Sequence, residues 1–446
     1  MNLEISKNEL DGALAALGKL VSRTSPQEAY RSVQIEGKED KLIFRTANGS
    51  ESLAFSITAE IAEPLQTVVL FDDFRTAVKC SRNKALTISV ENGNLSVEHQ
   101  PLRPVAGEFP ATPEPASGCE VFALPAGFVG LLAQAAPVVN RNEFRRVLQG
   151  IHLCRDGIVA TNGKELLFIE SALELETPTT IPFPLALLAS RCDAGGTMTV
   201  WRENDRQRFI IALGPWTWSG MALPGNYPNW RPILPDASAL KHVVCFDDDR
   251  AAQLALFLKS IPADPPNNPV SLTMDENRTT LNVAAGTMRT AIAADFPMEW
   301  GNCEISVNRD ILSRLLRGGH RRLSFSGKHG PFLATGGIGT YVAMPLYNPQ
   351  TQPVQPNQEE KMNENPHVGA VHVPPVATAI TPEPVTVNPL DELAAAVDDF
   401  KTRIRAMFDE SALLARKVKE VALAQKQKER DFVQAKRAIE RIRMAI

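Results

Sequence analysis

The sequence predicts an α+β protein built from six repeats, each a helix followed by antiparallel strands. Strand-to-helix junctions begin near residues 5, 70, 122, 181, 245 and 305, so one unit recurs about every 60 residues. Each apolar-periodic helix precedes alternating segments such as 32–49 and 85–100, where Asn92-Gly93 is a strong hairpin signal. Because a single unit leaves one sheet face uncovered, we expect the repeats to pack in pairs as three domains.

Four of the six junctions carry residues that are typical of helix N-caps. Asn8 and Asn308 each follow a short apolar strand, and we expect both to cap the helices that begin there. Acidic residues in 71–75 and 246–250 have the same placement and also complement the helix dipole. The remaining two junctions are expected within residues 122–128 and 181–188.

Composition changes sharply at residues 349–390, which contain nine prolines and few large apolar side chains. Such a segment is typical of an extended linker without fixed structure. The residues after it contain neither proline nor glycine and follow a helical period. The predicted organisation is three body domains (1–118, 119–238 and 239–348), a linker (349–390) and a C-terminal helix (391–446).

The C-terminal helix has the period of a coiled coil. From Leu393 to Ile446, alternating steps of four and three residues select sixteen positions, of which thirteen are apolar. Ser411, Gln425 and Lys428 interrupt the seam, as register-setting polar positions do. The alternative is a helix packed on the chain's own body, but the length and period favour a helical partner, from a second copy or from another protein. The residues from 411 onward include ten basic and four acidic side chains, so this helix could also contact DNA or an acidic surface.

The bulk composition argues against membrane, disulfide and metal proteins. No apolar run reaches 18 residues and the N-terminus lacks a basic, hydrophobic leader, so we expect a cytoplasmic protein. The six cysteines lie far apart, with no CxxC pair and no histidine at ligand spacing. We expect them to be reduced, buried and structural, and we expect no metal site: Cys80, Cys119, Cys154, Cys192, Cys245 and Cys303.

Charge is unevenly divided between the predicted helices and the rest of the body. Six helical windows (8–23, 72–84, 126–146, 183–193, 248–260 and 308–322) carry 17 basic and 9 acidic residues, a net of +8. The body as a whole has 33 basic and 37 acidic residues, so the remainder carries −12. Helices on one face would present a basic surface to a phosphate backbone, although charged helix faces are more often merely solvated. The strongest contributors are Arg75, Lys79, Arg82, Lys84, Arg141, Arg145, Arg146, Arg309, Arg314, Arg317, Arg321 and Arg322.

Three segments resemble signature regions of one family, the bacterial sliding clamp or beta subunit of DNA polymerase III. They are residues 143–168, 223–235 and 341–348, which occur in order along the body. The resemblance implies the DNA-clamp fold and a head-to-tail homodimer that closes into a ring around double-stranded DNA. Helices would line the hole and contact DNA without reading its sequence, with no cofactor. The implied DNA-facing residues are the basic side chains Arg23, Arg75, Lys79, Arg82, Lys84, Arg141, Arg145, Arg146, Arg314, Arg317, Arg321 and Arg322.

The resemblance also implies a pocket into which DNA polymerase, the clamp loader and other partners insert short peptides. Matched residue by residue, its lining would be Leu148, Thr161, Gly163, Lys164, Glu165, Leu166, Pro228, Pro232, Ile233, Val342, Met344, Pro345 and Leu346. Lys164-Glu165 stand where the family usually has His-Arg, and Pro232 stands where it has arginine. We expect the linker to overlie the mouth of this pocket.

The N-terminal loop 22–32 lacks the leucine-rich run of the family. We expect any DNA contact of this loop to involve Arg23 or Arg31.

Our preferred interpretation is a clamp that acts as a processivity factor, and two alternative hypotheses remain. The first is a clamp-fold scaffold that assembles through its C-terminal coiled coil without encircling DNA. The weaker rival is an enzyme, since no nucleophile, metal or acid-base constellation is found.

Three further motifs favour ordinary structure. Gln253–Phe257 resembles the peptide used by clamp partners, but we expect it inside a helix with Leu254 and Phe257 buried. Residues 157–164 are an imperfect P-loop, and 336–339 favour a hairpin turn over a nucleotide site.

Overall fold

The computed structural model describes residues 2–91, 94–116, 118–264, 267–274, 279–297, 303–327 and 330–346. All of them lie in one compact unit. The Asn92-Gly93 turn, the linker 349–390 and the helix 391–446 lie outside the described residues, and their predictions remain predictions. In the described part, no helix is long and apolar enough to cross a membrane.

Six repeats follow one another, each in the order strand, helix, strand, strand, strand. The first repeat contains β1 (Asn2–Ser6), α1 (Lys7–Leu17), β2 (Ser32–Lys38), β3 (Lys41–Ala47) and β4 (Glu51–Thr58). The second contains β5 (Leu65–Leu70), α2 (Phe71–Cys80), β6 (Ala85–Glu91), β7 (Asn94–Val97) and β8 (Gln100–Leu102). The third contains β9 (Glu120–Leu124), α3 (Phe128–Ala135), β10 (Gly150–Cys154), β11 (Gly157–Thr161) and β12 (Glu165–Glu170).

The second half of the body repeats the same order. The fourth repeat contains β13 (Thr179–Pro182), α4 (Leu185–Ser190), β14 (Gly196–Glu203), β15 (Arg206–Leu213) and β16 (Trp216–Met221). The fifth contains β17 (His242–Cys245), α5 (Asp248–Ser260), β18 (Pro269–Met274), β19 (Thr280–Ala285) and β20 (Met288–Ala293). The sixth contains β21 (Ile305–Asn308), α6 (Arg309–Arg317), β22 (Arg322–Phe325), β23 (Phe332–Thr335) and β24 (Thr340–Ala343). The predicted α+β class and the six-fold repeat are therefore confirmed.

Antiparallel pairing links the repeats into four sheets. The first strand of each repeat pairs with the meander of a neighbouring repeat: β1 with β6, β5 with β2, β9 with β14, β13 with β10, β17 with β22 and β21 with β18. Two sheets have four strands, in the orders β1-β6-β7-β8 and β20-β19-β18-β21. The other two have eight strands, because β4 pairs with β16 and β12 pairs with β24 at their edges. We call these two pairings the first and second junctions.

The helices cover the sheets with stripes of apolar residues. In α1, the buried Leu10, Leu14 and Leu17 recur at the spacing of one helix face. In α6, buried Leu312 and Leu316 form the corresponding stripe, with arginines on the other side. These residues join the inward side chains of the sheets in one large core. Burial of this surface removes apolar area from water and is the main stabilising term of the fold.

The observed helix caps agree with the sequence prediction at two junctions and differ at two. Asn308 caps α6, since its side chain accepts from the N–H groups of the second and third helical residues. Asp247 caps α5 by accepting from the Arg250 N–H at 2.8 Å. Asn8 does not cap α1, because the helix already begins at Lys7. In the second repeat the helix begins at Phe71, whose ring is buried, so its acidic residues lie in the first turn and still favour the dipole.

The expectation that the cysteines are buried is wrong for five of the six. Only Cys154 is buried, Cys80 is exposed at the end of α2, and the other four are intermediate. Their separation in sequence carried no information about which face of an element each would occupy.

Candidate functional site

A cavity of about 200 Å³ lies beside the second junction, where β12 meets β24. Three segments form it: the turn between β11 and β12, the end of β24, and the irregular segment 223–235. The 3₁₀ turn Arg146–Gln149 contributes Leu148 to the lining. The lining residues are Arg145, Leu148, Thr161, Gly163, Lys164, Glu165, Leu166, Pro228, Trp230, Ile233, Val342, Ala343 and Met344.

Ten of the thirteen residues that the resemblance assigned to the pocket line this cavity. Pro232, Pro345 and Leu346 do not line it. Pro232 is exposed, and the Leu346 N–H donates to the Ser306 carbonyl at 2.7 Å, which directs the chain toward β21. Arg145, Trp230 and Ala343 line it but were not assigned. Trp230 lies within one of the three resembling segments, so its large apolar ring was the available signal.

Two aromatic contacts hold the segment 223–235 against the sheet. The Trp230 ring packs on the Phe168 ring of β12, with 4.6 Å between the ring centroids. The Tyr227 ring stacks on the His152 ring of β10, with 4.2 Å between the centroids. Burial, with a smaller effect of Arg231, lowers the pKa of His152 to about 4, and burial raises the pKa of Tyr227. Both rings therefore stay uncharged near neutral pH. The segment is thus a fixed wall of the cavity, positioned by ring packing.

The interior of the cavity suits an apolar anchor. Leu148, Leu166 and Val342 are buried and form its floor. Ile233 and Met344 are about half exposed, at 45% and 44%, and stand at its mouth. Methionine has flexible torsions and a polarisable sulfur, so it can adapt to different apolar groups. Sites of this kind bind ligands mainly by removing apolar area from water.

One end of the cavity contains a buried charge network centred on Glu165. The Arg314 Nη1 of α6 and the Tyr341 hydroxyl of β24 both donate to its carboxylate, as does Asn162 Nδ2 at 2.6 Å. The Glu165 side chain is only 2% exposed. Burial and then the Glu165 charge raise the pKa of Tyr341 well above its usual value, so the hydroxyl keeps its proton and remains a donor. Burial would lower the pKa of Arg314, but Glu165 and Tyr341 outweigh it and the net shift is upward.

The mouth of the cavity is basic on one side. Lys164 and Arg145 are both exposed there. Between them Gly163 adopts a φ of +82°, a left-handed conformation that glycine tolerates without strain. This rim would attract acidic residues that flank an apolar anchor.

The six helices themselves are nearly neutral, which corrects the charge division predicted from the sequence windows. Their observed spans contain eight basic and seven acidic residues, a net of +1. The remaining positive charge of the windows lies in segments that follow the helices, such as 81–84 and 141–146. The windows extended beyond the observed helices and so included basic residues that follow the helix ends. These residues do not continue the apolar period of the helix. A basic surface is therefore built from helix ends and turns more than from helix faces.

The twelve residues predicted to face DNA fall into two groups. Nine are exposed: Arg23, Lys79, Arg82, Lys84, Arg141, Arg145, Arg146, Arg317 and Arg322. The other three are half-buried in ion pairs, Arg75 with Asp72 at 2.7 Å, Arg321 with Asp248 at 2.8 Å, and Arg314 with Glu165. Arg314 thus lies in the charge network beside the cavity and not on an open surface.

The N-terminal loop has two exposed arginines. Arg23 lies 4.0 Å from Asp72 with a side chain that is 70% exposed. Arg31 ends a short 3₁₀ helix, Glu28–Arg31, and is also exposed. Both are therefore accessible to a phosphate group, although Asp72 partly offsets the charge of Arg23.

The motifs that favoured ordinary structure are found in ordinary structure. Leu254 is fully buried inside α5 and Phe257 packs against the core. Residues 157–164 form β11 and the turn after it, and 336–339 form the hairpin between β23 and β24. Among the described residues, no group of three or more His, Cys, Asp or Glu side chains could hold a metal ion.

Comparisons with known proteins identify the fold. No family model matches the chain. A curated relative, the beta sliding clamp of Chlamydia pneumoniae, is 24% identical over 257 residues, which is 54% of this chain and 69% of the relative. A second, from Helicobacter pylori, is 22% identical over 256 residues, 53% of this chain and 67% of the relative.

Solved structures agree over a longer span. The DNA polymerase sliding clamp of Caulobacter crescentus has a TM-score of 0.64 at 20% identity, covering 78% of this chain and 100% of that one. The Helicobacter pylori beta clamp bound to a DNA ligase peptide has a TM-score of 0.66 at 17% identity, with the same coverage. The resemblance noted in the sequence is confirmed: the chain has the fold of the bacterial sliding clamp.

Proposed function

We propose that this chain is a DNA sliding clamp, a processivity factor that encircles duplex DNA and tethers DNA polymerase and other replication or repair proteins. Two copies close head to tail into a ring. The cavity beside the second junction receives a short peptide from each partner. The chain itself performs no chemistry and acts in the cytoplasm as an accessory subunit.

The observation that carries this proposal is the pattern of joined and open sheet edges. The first junction pairs repeat one with repeat four, and the second pairs repeat three with repeat six. Each junction joins the last strands of two repeats, and β8 of repeat two and β20 of repeat five are the two last strands that have no outer partner among the described residues. Pairing β20 with β8 of a second copy continues the same rule. Repeating this contact in both directions closes a ring of two chains, each contributing three domains of two repeats.

The exposed side of α5 supports the same interface. Leu256 is 69% exposed, beside the small side chains Ala252 and Ala255. At the first junction, α1 packs against α4 next to the paired strands. By the same rule α5 would pack against α2 of the second copy, which would remove Leu256 from water.

The basic side chains support sequence-independent DNA binding. Eight of the nine exposed lysines and arginines lie at helix ends and in turns, and Arg322 begins β22, so they can reach phosphate groups without inserting into a groove. Weak, water-mediated contacts of this kind hold the duplex while allowing movement along it. Closure of the ring, and not the strength of these contacts, would prevent dissociation.

The apolar cavity supports peptide tethering of polymerase and clamp loader. The Helicobacter pylori clamp that shares this fold binds a DNA ligase peptide, and we transfer peptide binding to this chain on the cavity's position and lining. The rim of Lys164 and Arg145 would favour partners with acidic residues beside an apolar anchor.

The extension after the clamp body retains its sequence prediction. We propose that residues 391–446 form a coiled coil whose partner is unidentified, and that the linker 349–390 overlies the cavity mouth. Removal of 349–446 is expected to change the affinity for partner peptides. Equal affinity of the full-length and shortened chains would reject the proposed role of the linker.

Retention on circular DNA tests the ring directly. The chain is assembled on nicked circular plasmid with a clamp loader, separated from free protein by gel filtration, and divided into an intact and a linearised sample. We expect retention on circles and loss after linearisation, because a ring slides off free ends. Retention on neither form, together with assembly through the C-terminal helix, would favour the scaffold.

A further inference from the structure

The turns that begin the two junctions share a sequence pattern and a pattern of asparagine hydrogen bonds. Residues 48–51 read Asn-Gly-Ser-Glu and residues 162–165 read Asn-Gly-Lys-Glu. In each, the asparagine side-chain oxygen accepts from the backbone N–H groups of the third and fourth residues. The distances are 2.9 and 2.8 Å in the first turn and 3.0 and 3.2 Å in the second. The turn therefore delivers its glutamate to the start of the junction strand in both places.

The glutamate of each turn accepts a hydrogen bond from an aromatic side chain across the junction. Trp218 Nε1 of β16 donates to Glu51 Oε2 at 3.1 Å, and the Tyr341 hydroxyl of β24 donates to Glu165 Oε2. In both cases the aromatic residue pairs with the position two residues after the glutamate. The chain thus contains the same polar contact twice, in the same register.

Only the second of these contacts adjoins the cavity. Glu165 lines it, as do Val342 and Met344, which follow Tyr341 along β24. Both oxygens of Glu165 are engaged inside the chain, one by Tyr341 and the other by Arg314 and Asn162. A peptide cation would have to displace these donors to reach the carboxylate. The contacts of Glu165 are therefore better suited to holding the two sides of the cavity together than to binding the peptide.

We propose that Glu165 is a positioning residue for the peptide cavity, fixing the β24 wall against the turn between β11 and β12. The proposal rests on the peptide-binding role stated above. Loss of the Tyr341 or Arg314 contact frees β24 to shift, and Val342 and Met344 shift with it. Near neutral pH the burial of Tyr341 keeps its hydroxyl protonated, which preserves the donor.

The test compares the two glutamates in the full-length chain. A fluorescein-labelled peptide containing Gln-Leu-Ala-Leu-Phe, the motif that resembles those of clamp partners, is titrated and its anisotropy measured. We expect Glu165→Gln and Tyr341→Phe to weaken binding by about tenfold, since each loses a charge-assisted hydrogen bond. Glu51→Gln, which changes the equivalent carboxylate at the junction without the cavity, is expected to stay within about twofold of the unmodified chain.

Thermal unfolding of the same variants separates positioning from general instability. Trp218→Phe leaves a cavity in the core and is expected to unfold earlier than the unmodified chain while binding the peptide normally. A second route exchanges the charges: Glu165→Arg alone abolishes the ion pair, and adding Arg314→Glu is expected to recover part of the lost affinity.

Each outcome bears on the proposal. Equal changes in affinity for Glu51→Gln and Glu165→Gln, or peptide binding that is insensitive to Glu165→Gln, would overturn the positioning role alone. Absence of peptide binding by the unmodified chain would overturn the proposed function and this inference with it.

Discussion

The first and second junctions share a backbone arrangement but differ in the chemistry at their polar centres. At the first, Glu51 is half-buried and accepts one hydrogen bond from Trp218, with Arg141 contributing only charge. At the second, Glu165 is buried and bound by an arginine, a tyrosine and an asparagine. The strand register is nevertheless the same. The strand register is therefore what the two junctions share, whereas the polar contacts at the centre of each junction differ.

The difference also shows where the chain has concentrated specific interactions. A buried ion pair contributes little net stability but makes each partner depend on the other. That dependence occurs beside the cavity and not at the junction that lacks one. The open edges form a third case, because β8 has only three residues, including Pro101, and β20 alternates exposed and covered side chains. Short strands and proline limit the pairing of an edge with unrelated strands. We expect each of these edges to pair only with the matching strand of a second copy.

The largest expected effect is on the open edge. Ala285 and Met288 close a two-residue hairpin, so Arg289 and Ala291 direct their N–H groups away from β19. Ala291→Pro removes one outward donor and is expected to weaken each β20–β8 contact by about tenfold or more, because the paired strands lose a backbone hydrogen bond. A ring contains two such contacts, so dimers should dissociate at concentrations where the unmodified chain is dimeric.

Analytical ultracentrifugation measures this dissociation, with Ala291→Val as the control that keeps the N–H. An unchanged dimer constant for Ala291→Pro would show that β20 is not the interface.

The second prediction contrasts the arginines of the two joined junctions. Arg314→Met leaves Glu165 buried without its cation and is expected to lower the free energy of unfolding by about 3 kcal/mol. Arg141→Met removes an exposed arginine that influences Glu51 at a distance and lies over the Phe183 ring, 5.1 Å from its centroid, so its cost should stay below about 1 kcal/mol. Urea unfolding of both variants gives the values. Similar losses for the two would contradict the difference between the junctions.

The third prediction concerns pH. His320 packs edge-on against Tyr341 at the second junction, and burial followed by the Arg321 charge lowers its pKa to about 4 from the ordinary 6.5. As the pH falls, His320 is therefore protonated in the unfolded chain before it is protonated in the folded chain. The free energy of unfolding falls as pH drops from 6.5 toward 4. At pH 5 this loss is on the order of 2 kcal/mol.

Glu51 at the first junction has the opposite sign. Burial raises its pKa, against the effects of Trp218 and Arg141, so its contribution to stability diminishes as pH rises.

Urea unfolding between pH 4 and 8 tests the effect of His320. The free energy of unfolding should become less acid-sensitive in His320→Gln, and a pH dependence identical to that of the unmodified chain would reject the assignment to His320.

The smallest expected effect compares the glycines of the two turns. Gly163 has a φ of +82°, whereas Gly49 lies outside the left-handed region. Gly163→Ala is expected to cost about 1 kcal/mol of stability from backbone strain, and Gly49→Ala should cost nothing measurable. A Cβ at either position would meet only ordinary contacts, at 3.6 and 3.8 Å, so sterics do not confuse the comparison. Equal stabilities of the two alanine variants would contradict the backbone argument.

The repeat and its helices could be predicted because they depend on local sequence. Apolar periodicity and turn residues recur every unit, and Asn308 and Asp247 cap their helices with contacts to nearby residues. The cap prediction at Asn8 was wrong because α1 begins one residue earlier, at Lys7, which leaves Ser6 at the N-cap position. Most cavity residues came from the family resemblance and could not have been found from periodicity.

The network of Glu165 could not be predicted from sequence. Its partners Arg314 and Tyr341 lie 149 and 176 residues away, and only the junction of β12 with β24 brings them together. For the same reason Arg314 was counted among residues that face DNA. Whether an arginine is solvated or paired depends on tertiary neighbours that charge counting does not include.

The solution mass of the full-length chain and of residues 1–348, measured by light scattering, tests the head-to-tail ring most directly. We expect both to be dimers, because the open edges β8 and β20 lie in the clamp body. A monomeric 1–348 beside an associated full-length chain would contradict this expectation and would assign assembly to the C-terminal helix.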